Sequence, residues 1–129
     1  MEQNRKNILL VDDDPLVIRM YQNKLTKDGY IVNTASNGEE ALIQIMKKKP
    51  DLILLDVMMP KMNGVETLKR LKAEEKTEMI PVIILTNLGD NPEDVNAAKK
   101  LRALDYLVKA NITLKHLSER VKKAIETGK

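Results

Sequence analysis

The sequence predicts a doubly wound α/β domain, a parallel sheet with helices on both faces. Two observations predict it. Short runs of Ile, Leu and Val alternate with longer segments of helical period, and the alternation occurs five times. The runs are also nearly continuous in apolar residues, as strands buried on both faces of a parallel sheet must be.

In chain order, Ile8-Leu9-Leu10-Val11 predicts the first strand and Pro15 to about Lys27 the first helix. Asp14-Pro15 reads as an N-cap with proline at the first helical position, and Gly29 as the cap at the other end. Tyr30-Ile31-Val32 predicts the second strand, followed by a helix from about Gly38 to Lys48 that Pro50 separates from the third strand, Leu52-Ile53-Leu54-Leu55. A helix from about Val65 to Glu75 precedes the fourth strand, Val82-Ile83-Ile84-Leu85, and one from about Pro92 to Leu101 follows it. Leu104 to Val108 and a helix from about Leu114 to Ile125 complete the fifth unit. Strands separated by helices in this way imply a parallel sheet with right-handed crossovers.

At 129 residues the chain fits one domain, expected over 1–129 with its core at about 6–127. With 43% hydrophobic residues it can bury a core without disulfides, and with no cysteine it has neither thiol catalysis nor cysteine-ligated metal. Its single His116 is expected on a helix surface. The polar N-terminus lacks the apolar region of a signal peptide, and no run approaches the roughly 20 apolar residues of a membrane span. A cytoplasmic protein without membrane insertion is the expectation. The net charge of +3 comes from groups such as Lys47-Lys48-Lys49, Lys99-Lys100 and Lys122-Lys123, toward helix ends where solvated cations favour the dipole. No helix-turn-helix, zinc or stacking-aromatic pattern accompanies them, so direct nucleic-acid binding is not expected.

In open α/β sheets the working crevice lies beyond the carboxyl ends of the strands. The first run ends in Asp12-Asp13-Asp14 and the third in Asp56, which brings three or four carboxylates together. Adjacent carboxylates repel unless a cation joins them, and oxygen donors without nearby His or Cys favour Mg²⁺. Thr86 ends the fourth run and Lys109 follows the fifth, adding a hydroxyl and an ammonium. A carboxylate nucleophile, a hard cation, a hydroxyl and an ammonium are the parts that position a phosphoryl group for in-line transfer. The set implies an aspartyl phosphate. Met58, Met59 and Met62 are expected to pack, apart from the Met58 carbonyl.

The segments Val11-Asp12-Asp13-Asp14-Pro15, Asp51 to Gly64 (DLILLDVMMPKMNG), Pro81 to Thr86 (PVIILT) and Asp105-Tyr106-Leu107-Val108-Lys109 resemble response-regulator receiver domains in order and spacing. The resemblance covers nearly the whole chain. It implies the flavodoxin-like strand order 2-1-3-4-5 with five flanking helices. It also implies that Asp56 is the phosphoacceptor and that Mg²⁺ is held by Asp13, Asp56 and the Met58 carbonyl, with Asp12 on a metal-bound water. Thr86 and Lys109 would bind phosphoryl oxygens, and Tyr106 would reorient with Thr86. The implied partners are a histidine kinase or phosphotransfer protein and a downstream protein target, reached through the face of the fourth helix, fifth strand and fifth helix.

Three positions depart from the family pattern. Ala110 stands where proline usually follows the lysine in a cis peptide, and a cis non-proline bond costs about 2.5 to 4 kcal/mol, so a trans bond is expected. Asn87 replaces the usual small residue after Thr86, where it could crowd or hydrogen-bond the phosphoryl group, and Arg102-Ala103 replaces Gly-Ala at the end of the fourth helix. A haloacid-dehalogenase-type phosphatase is the enzymatic alternative. It needs a second Asp two residues after the nucleophile, where this chain has Met58. A pseudo-receiver that binds without phosphorylation usually loses acidic, Thr or Lys positions, and all are kept here.

Overall fold

A computed structural model describes residues 5–87 and 89–127. Five parallel strands lie in the order β2-β1-β3-β4-β5. They are β1 Asn7–Val11, β2 Ile31–Ala35, β3 Leu52–Asp56, β4 Val82–Thr86 and β5 Asp105–Val108. Between and after them run α1 Pro15–Lys27, α2 Gly38–Lys47, α3 Gly64–Ala73, α4 Pro92–Lys100 and α5 Leu114–Thr127. A short 3-10 turn, Lys109–Asn111, joins β5 to the loop before α5.

Alternation along the central strands builds two cores. Leu9, Val11, Ile53, Leu55, Val82 and Ile84 pack under α2, α3 and α4. Their neighbours Ile8, Leu10, Leu52, Leu54, Ile83 and Leu85 pack under α1 and α5. Every residue of β3 and β4 is buried. At roughly 1.5 to 3 kcal/mol for each fully buried large aliphatic side chain, these two strands anchor the sheet. The edge strands are thinner: β2 is mostly half-buried, and only Leu107 of β5 is buried.

Side chains fix the helix starts as the sequence suggests. The Asp14 carboxylate accepts from the Leu16 N–H with Pro15 in the first turn. Asn37, Asn63 and Asn91 cap α2, α3 and α4 in the same manner. Gly29, at φ +102°, turns the chain after α1 in a conformation glycine adopts freely. The Lys109–Ala110 bond is trans, as expected with Ala110 where the family usually has proline, and the chain makes a 3-10 turn there.

The second strand is displaced from its expected place. The apolar triplet Tyr30-Ile31-Val32 marks it, yet the strand runs from Ile31 to Ala35 and Tyr30 precedes it. An edge strand has a solvated face, so Asn33 and Thr34 belong to it although a search for continuous apolar runs passes over them. Asp56 and Thr86 likewise pair as the last residues of their strands rather than following them. No described helix is long and apolar enough to cross a membrane.

Candidate functional site

The parallel strands deliver their carboxyl ends to one edge of the sheet, and the acidic residues meet there. Asp12, Asp13 and Asp56 each bring a carboxylate oxygen within 4.8 Å of the others. Asp12 and Asp56 are both 1% exposed, while Asp13 faces solvent. Lys109 reaches in from beyond β5, its side chain only 9% exposed, and donates to Asp12 Oδ2 at 2.8 Å. It lies 3.6 Å from Asp56 Oδ2, an electrostatic contact too long for a hydrogen bond.

The two buried acids are provided for differently. Asp12 spends Oδ1 on the Asp14 N–H at 2.9 Å and Oδ2 on Lys109. Both oxygens of Asp56 are buried without a hydrogen-bond partner. Burial therefore pushes the Asp56 carboxyl up to about 7, with the charges of Asp12, Asp13 and Asp90 adding to the rise and Lys109 opposing it. Burial pulls the Lys109 ammonium down, but the hydrogen bond to Asp12 and the charges of Asp56 and Asp12 outweigh it, so its pKa is raised. Lys109 thus stays charged.

An anionic carboxylate buried with two free oxygens is costly unless a cation joins it. The carboxylate set of Asp12, Asp13 and Asp56 is the donor type that hard divalent ions take, with no cysteine in the chain and the lone His116 exposed on α5. These residues fit such an ion. Once deprotonated, Asp56 also has an oxygen available as a nucleophile.

Of the other residues singled out in the sequence, Thr86 is 4% exposed, and its hydroxyl lies 3.4 Å from the Leu107 carbonyl, turned toward β5. Tyr106 is 45% exposed on β5. Met58 follows β3 with its side chain 41% exposed, so of the three methionines Met59 packs into the core, Met62 is half-buried and Met58 does not pack. A loop residue near the crevice rim has little surface to pack against. Asn87 is exposed directly after Thr86, with its N–H donating to Asp90 Oδ2 at 2.8 Å. Arg102 takes φ +66°, the left-handed position a glycine would fill without strain.

Three contributions were not anticipated from the sequence. Gly64 lies so close under the site that a Cβ there would meet the Asp56 carbonyl oxygen at 2.2 Å. Asp90 reaches the crevice from the loop after β4. Lys99, expected to be only solvated, sets its ammonium 3.9 Å from the centroid of the Tyr106 ring. The Asn63-Gly64 pair is a visible turn signal. Nothing local marks Asp90 or Lys99, because each acts through a partner that the tertiary fold brings near.

The strand order and the placement of the acidic crevice put the protein in the flavodoxin-like class to which chemotaxis receivers belong. A family model for the response regulator receiver domain matches residues 8–122, and the chain belongs to that family. It is 40% identical over 125 residues to the probable transcriptional regulator ycf27 of Porphyra purpurea, covering 97% of this chain and 49% of that protein. Over 104 residues it is 43% identical to the alkaline phosphatase synthesis transcriptional regulatory protein PhoP of Bacillus subtilis (strain 168), covering 81% of this chain and 42% of that protein. The chain thus spans about half the length of the curated relatives it matches. The crystal structure of the signal receiver domain of a signal transduction histidine kinase from Syntrophus aciditrophicus superposes with a TM-score of 0.86 at 33% identity, covering 95% of this chain and 91% of that one. The protein is therefore a receiver domain related to two-component regulators rather than a classical enzyme.

Proposed function

We propose that this receiver domain is a Mg²⁺-dependent phosphorylation switch with Asp56 as its phosphoacceptor. The observation that carries the reading is the buried Asp56 carboxylate, with both oxygens unpartnered beside the Lys109 ammonium and two further carboxylates. In the reaction an Asp56 oxygen attacks the phosphorus of a phosphohistidine on a histidine kinase or phosphotransfer protein. The P–N bond breaks, its electron pair returns to the imidazole, and an acyl phosphate remains on Asp56.

Asp13, Asp56 and the Met58 carbonyl would hold the Mg²⁺, with Asp12 supporting it through a bound water. The ion supplies charge neutralisation for the carboxylates and the transferring phosphoryl oxygens. Lys109 pairs with the new dianion, and the Thr86 hydroxyl turns from Leu107 to donate to it, each through a charge-assisted hydrogen bond. Moving Thr86 vacates space toward which Tyr106 swings from solvent. The face of α4, β5 and α5 thereby changes shape for a downstream protein partner. The domain acts only on its own acyl phosphate and works in the cytoplasm.

The test is labelling with acetyl phosphate and Mg²⁺, followed by intact-mass measurement. The wild type should gain one alkali-labile phosphoryl group and Asp56→Ala none. Equal labelling of Asp56→Ala would remove Asp56 from the role. Asp13→Asn should weaken Mg²⁺ binding by calorimetry, and unchanged affinity would remove Asp13 from the ligand set.

A further inference from the structure

The crevice offers three donors that a tetrahedral anion on Asp56 could use, and each is already engaged. Lys109 donates to Asp12 at 2.8 Å and the Thr86 hydroxyl points to the Leu107 carbonyl at 3.4 Å. The third donor follows from the geometry of β4. The Leu85 carbonyl accepts from the Val57 N–H at 3.1 Å, so the peptide groups of Leu85 face β3. Groups two residues apart on a strand point the same way, which aims the Asn87 N–H toward the same side. β3 ends at Asp56, opposite Leu85, so no strand residue remains there to receive the Asn87 N–H. A carboxylate takes it instead: Asp90 Oδ2 accepts this N–H at 2.8 Å, and the Asp90 N–H closes the turn on the Asn87 carbonyl at 3.1 Å. The Asp90 charge also reaches Asp56 and helps push its carboxyl upward.

We infer that Asp90 is an internal occupant of the anion-binding end of β4, holding the Asn87 N–H that a phosphoryl group on Asp56 would otherwise receive. This rests on the phosphoacceptor reading of Asp56. Asp90 is a positioning residue. It raises the free energy of the loaded state in two ways, by spending a donor and by placing a negative charge near a group that becomes dianionic. Loading Asp56 requires the Asp90 carboxylate to let go, so its removal should favour the loaded state. The two effects are separable, because Asp90→Asn keeps an acceptor oxygen and loses the charge, whereas Asp90→Ala loses both.

Beryllofluoride is the probe, titrated at saturating Mg²⁺ so that a change in metal affinity does not enter. Asp90→Ala should bind it about tenfold more tightly than wild type, as expected when a charge-assisted contact no longer competes, with Asp90→Asn between the two. Acetyl phosphate should label Asp90→Ala faster by a similar factor. A second readout needs no anion: the Asn87 amide should move upfield and exchange faster with solvent in Asp90→Ala. Affinities of both variants within twofold of wild type, or an unmoved Asn87 amide, would overturn the inference while leaving Asp56 as phosphoacceptor. If wild type itself takes up neither beryllofluoride nor a phosphoryl group, the phosphoacceptor reading fails and this inference falls with it.

Discussion

The two central strands that end at the crevice and the edge strand beside them are built on opposite terms. β3 and β4 are buried at every residue and carry Asp56 and Thr86 at their ends. β5 buries only Leu107, and it holds its outer side chains through surface contacts: Arg120 pairs with Asp105, and Lys99 stacks on Tyr106. The first region sets chemistry by withholding water, so one altered charge there is worth several kcal/mol. The second is held by exposed contacts worth under about 1 kcal/mol each, which leaves it the less firmly fixed of the two.

The largest effect expected from this contrast is the pH dependence of stability without divalent ions. The Asp56 carboxyl sits at about 7 in the folded protein against 3.8 for an ordinary aspartate. Below pH 4 it is protonated in both folded and unfolded chains. Between 4 and 7 only the folded state keeps the proton, so the folded state binds more protons and stability falls as pH rises through that window. Above 7 the full loss, roughly 4 kcal/mol at 1.36 kcal/mol per pKa unit, is in place. Asp56→Asn removes the titrating group, and at pH 8 it should be the more stable protein by that order. Urea unfolding of both proteins at pH 5 and 8 checks this. Parallel pH profiles would mean that the crevice does not charge Asp56 for its burial. If Mg²⁺ binds the folded cluster as proposed, adding it at pH 8 should recover much of the wild-type loss.

The same contrast explains what was legible in the sequence. Buried strands write themselves as apolar runs, so β1, β3 and β4 and the polar residues at their ends could be located from the sequence. Caps are local, and Asp14, Gly29 and Pro50 marked boundaries for the same reason. The edge strand β2 was misplaced because its exposed positions admit Asn33 and Thr34. What escaped entirely were contacts between residues that are each unremarkable alone. Asp90 reads as a loop acid and Lys99 as one of a solvated pair, until the fold sets the first against the Asn87 N–H and the second against Tyr106. Gly64 is similar, since its need for no side chain arises from the backbone of Asp56 lying across it.

An intermediate effect is expected at the turn that leads into β5. Arg102 follows the last residue of the α4 cap in a left-handed conformation, φ +66°, which costs a residue with a Cβ about 1 to 2 kcal/mol. It also lies near Lys72, whose ammonium is pulled down by burial first and by Arg102 second. Arg102→Gly should relieve both effects and raise stability by about 1 kcal/mol net of the extra chain entropy, or roughly 3 to 4 °C in Tm. Calorimetry of the two proteins decides it. A lower Tm would show that the Arg102 side chain contributes more to this edge than its backbone costs. In either case the acid-limb slope assigned to Asp56 should be unaltered, because the turn does not touch the crevice.

The smallest expected effect is the most informative about the proposed switch. The Lys99 ammonium lies 3.9 Å from the Tyr106 ring centroid while Tyr106 stands 45% exposed. At an exposed site such a cation–π contact is worth about 0.5 to 1 kcal/mol, and here all of it favours the outward ring. Lys99→Met keeps an apolar stem against the ring and removes the charge. The outward population of Tyr106 should therefore fall about two- to fivefold relative to the inward one, while global stability changes by less than 1 kcal/mol. Lys99→Arg, which preserves a cation over the ring, should leave the balance nearly unchanged. Tyr106 is one of three tyrosines in a chain with no Phe or Trp, so ring-labelled NMR follows it directly. Ring shifts in Lys99→Met identical to wild type would mean that the stack does not bias the ring. The outward position would then have to be set by contacts other than the Lys99 stack. A shift in Lys99→Met that is absent in Lys99→Arg would place a tunable bias at the edge strand. That bias would be independent of the crevice, so the set-point of the switch could be altered without altering the affinity of Asp56 for its phosphoryl group by more than the same factor.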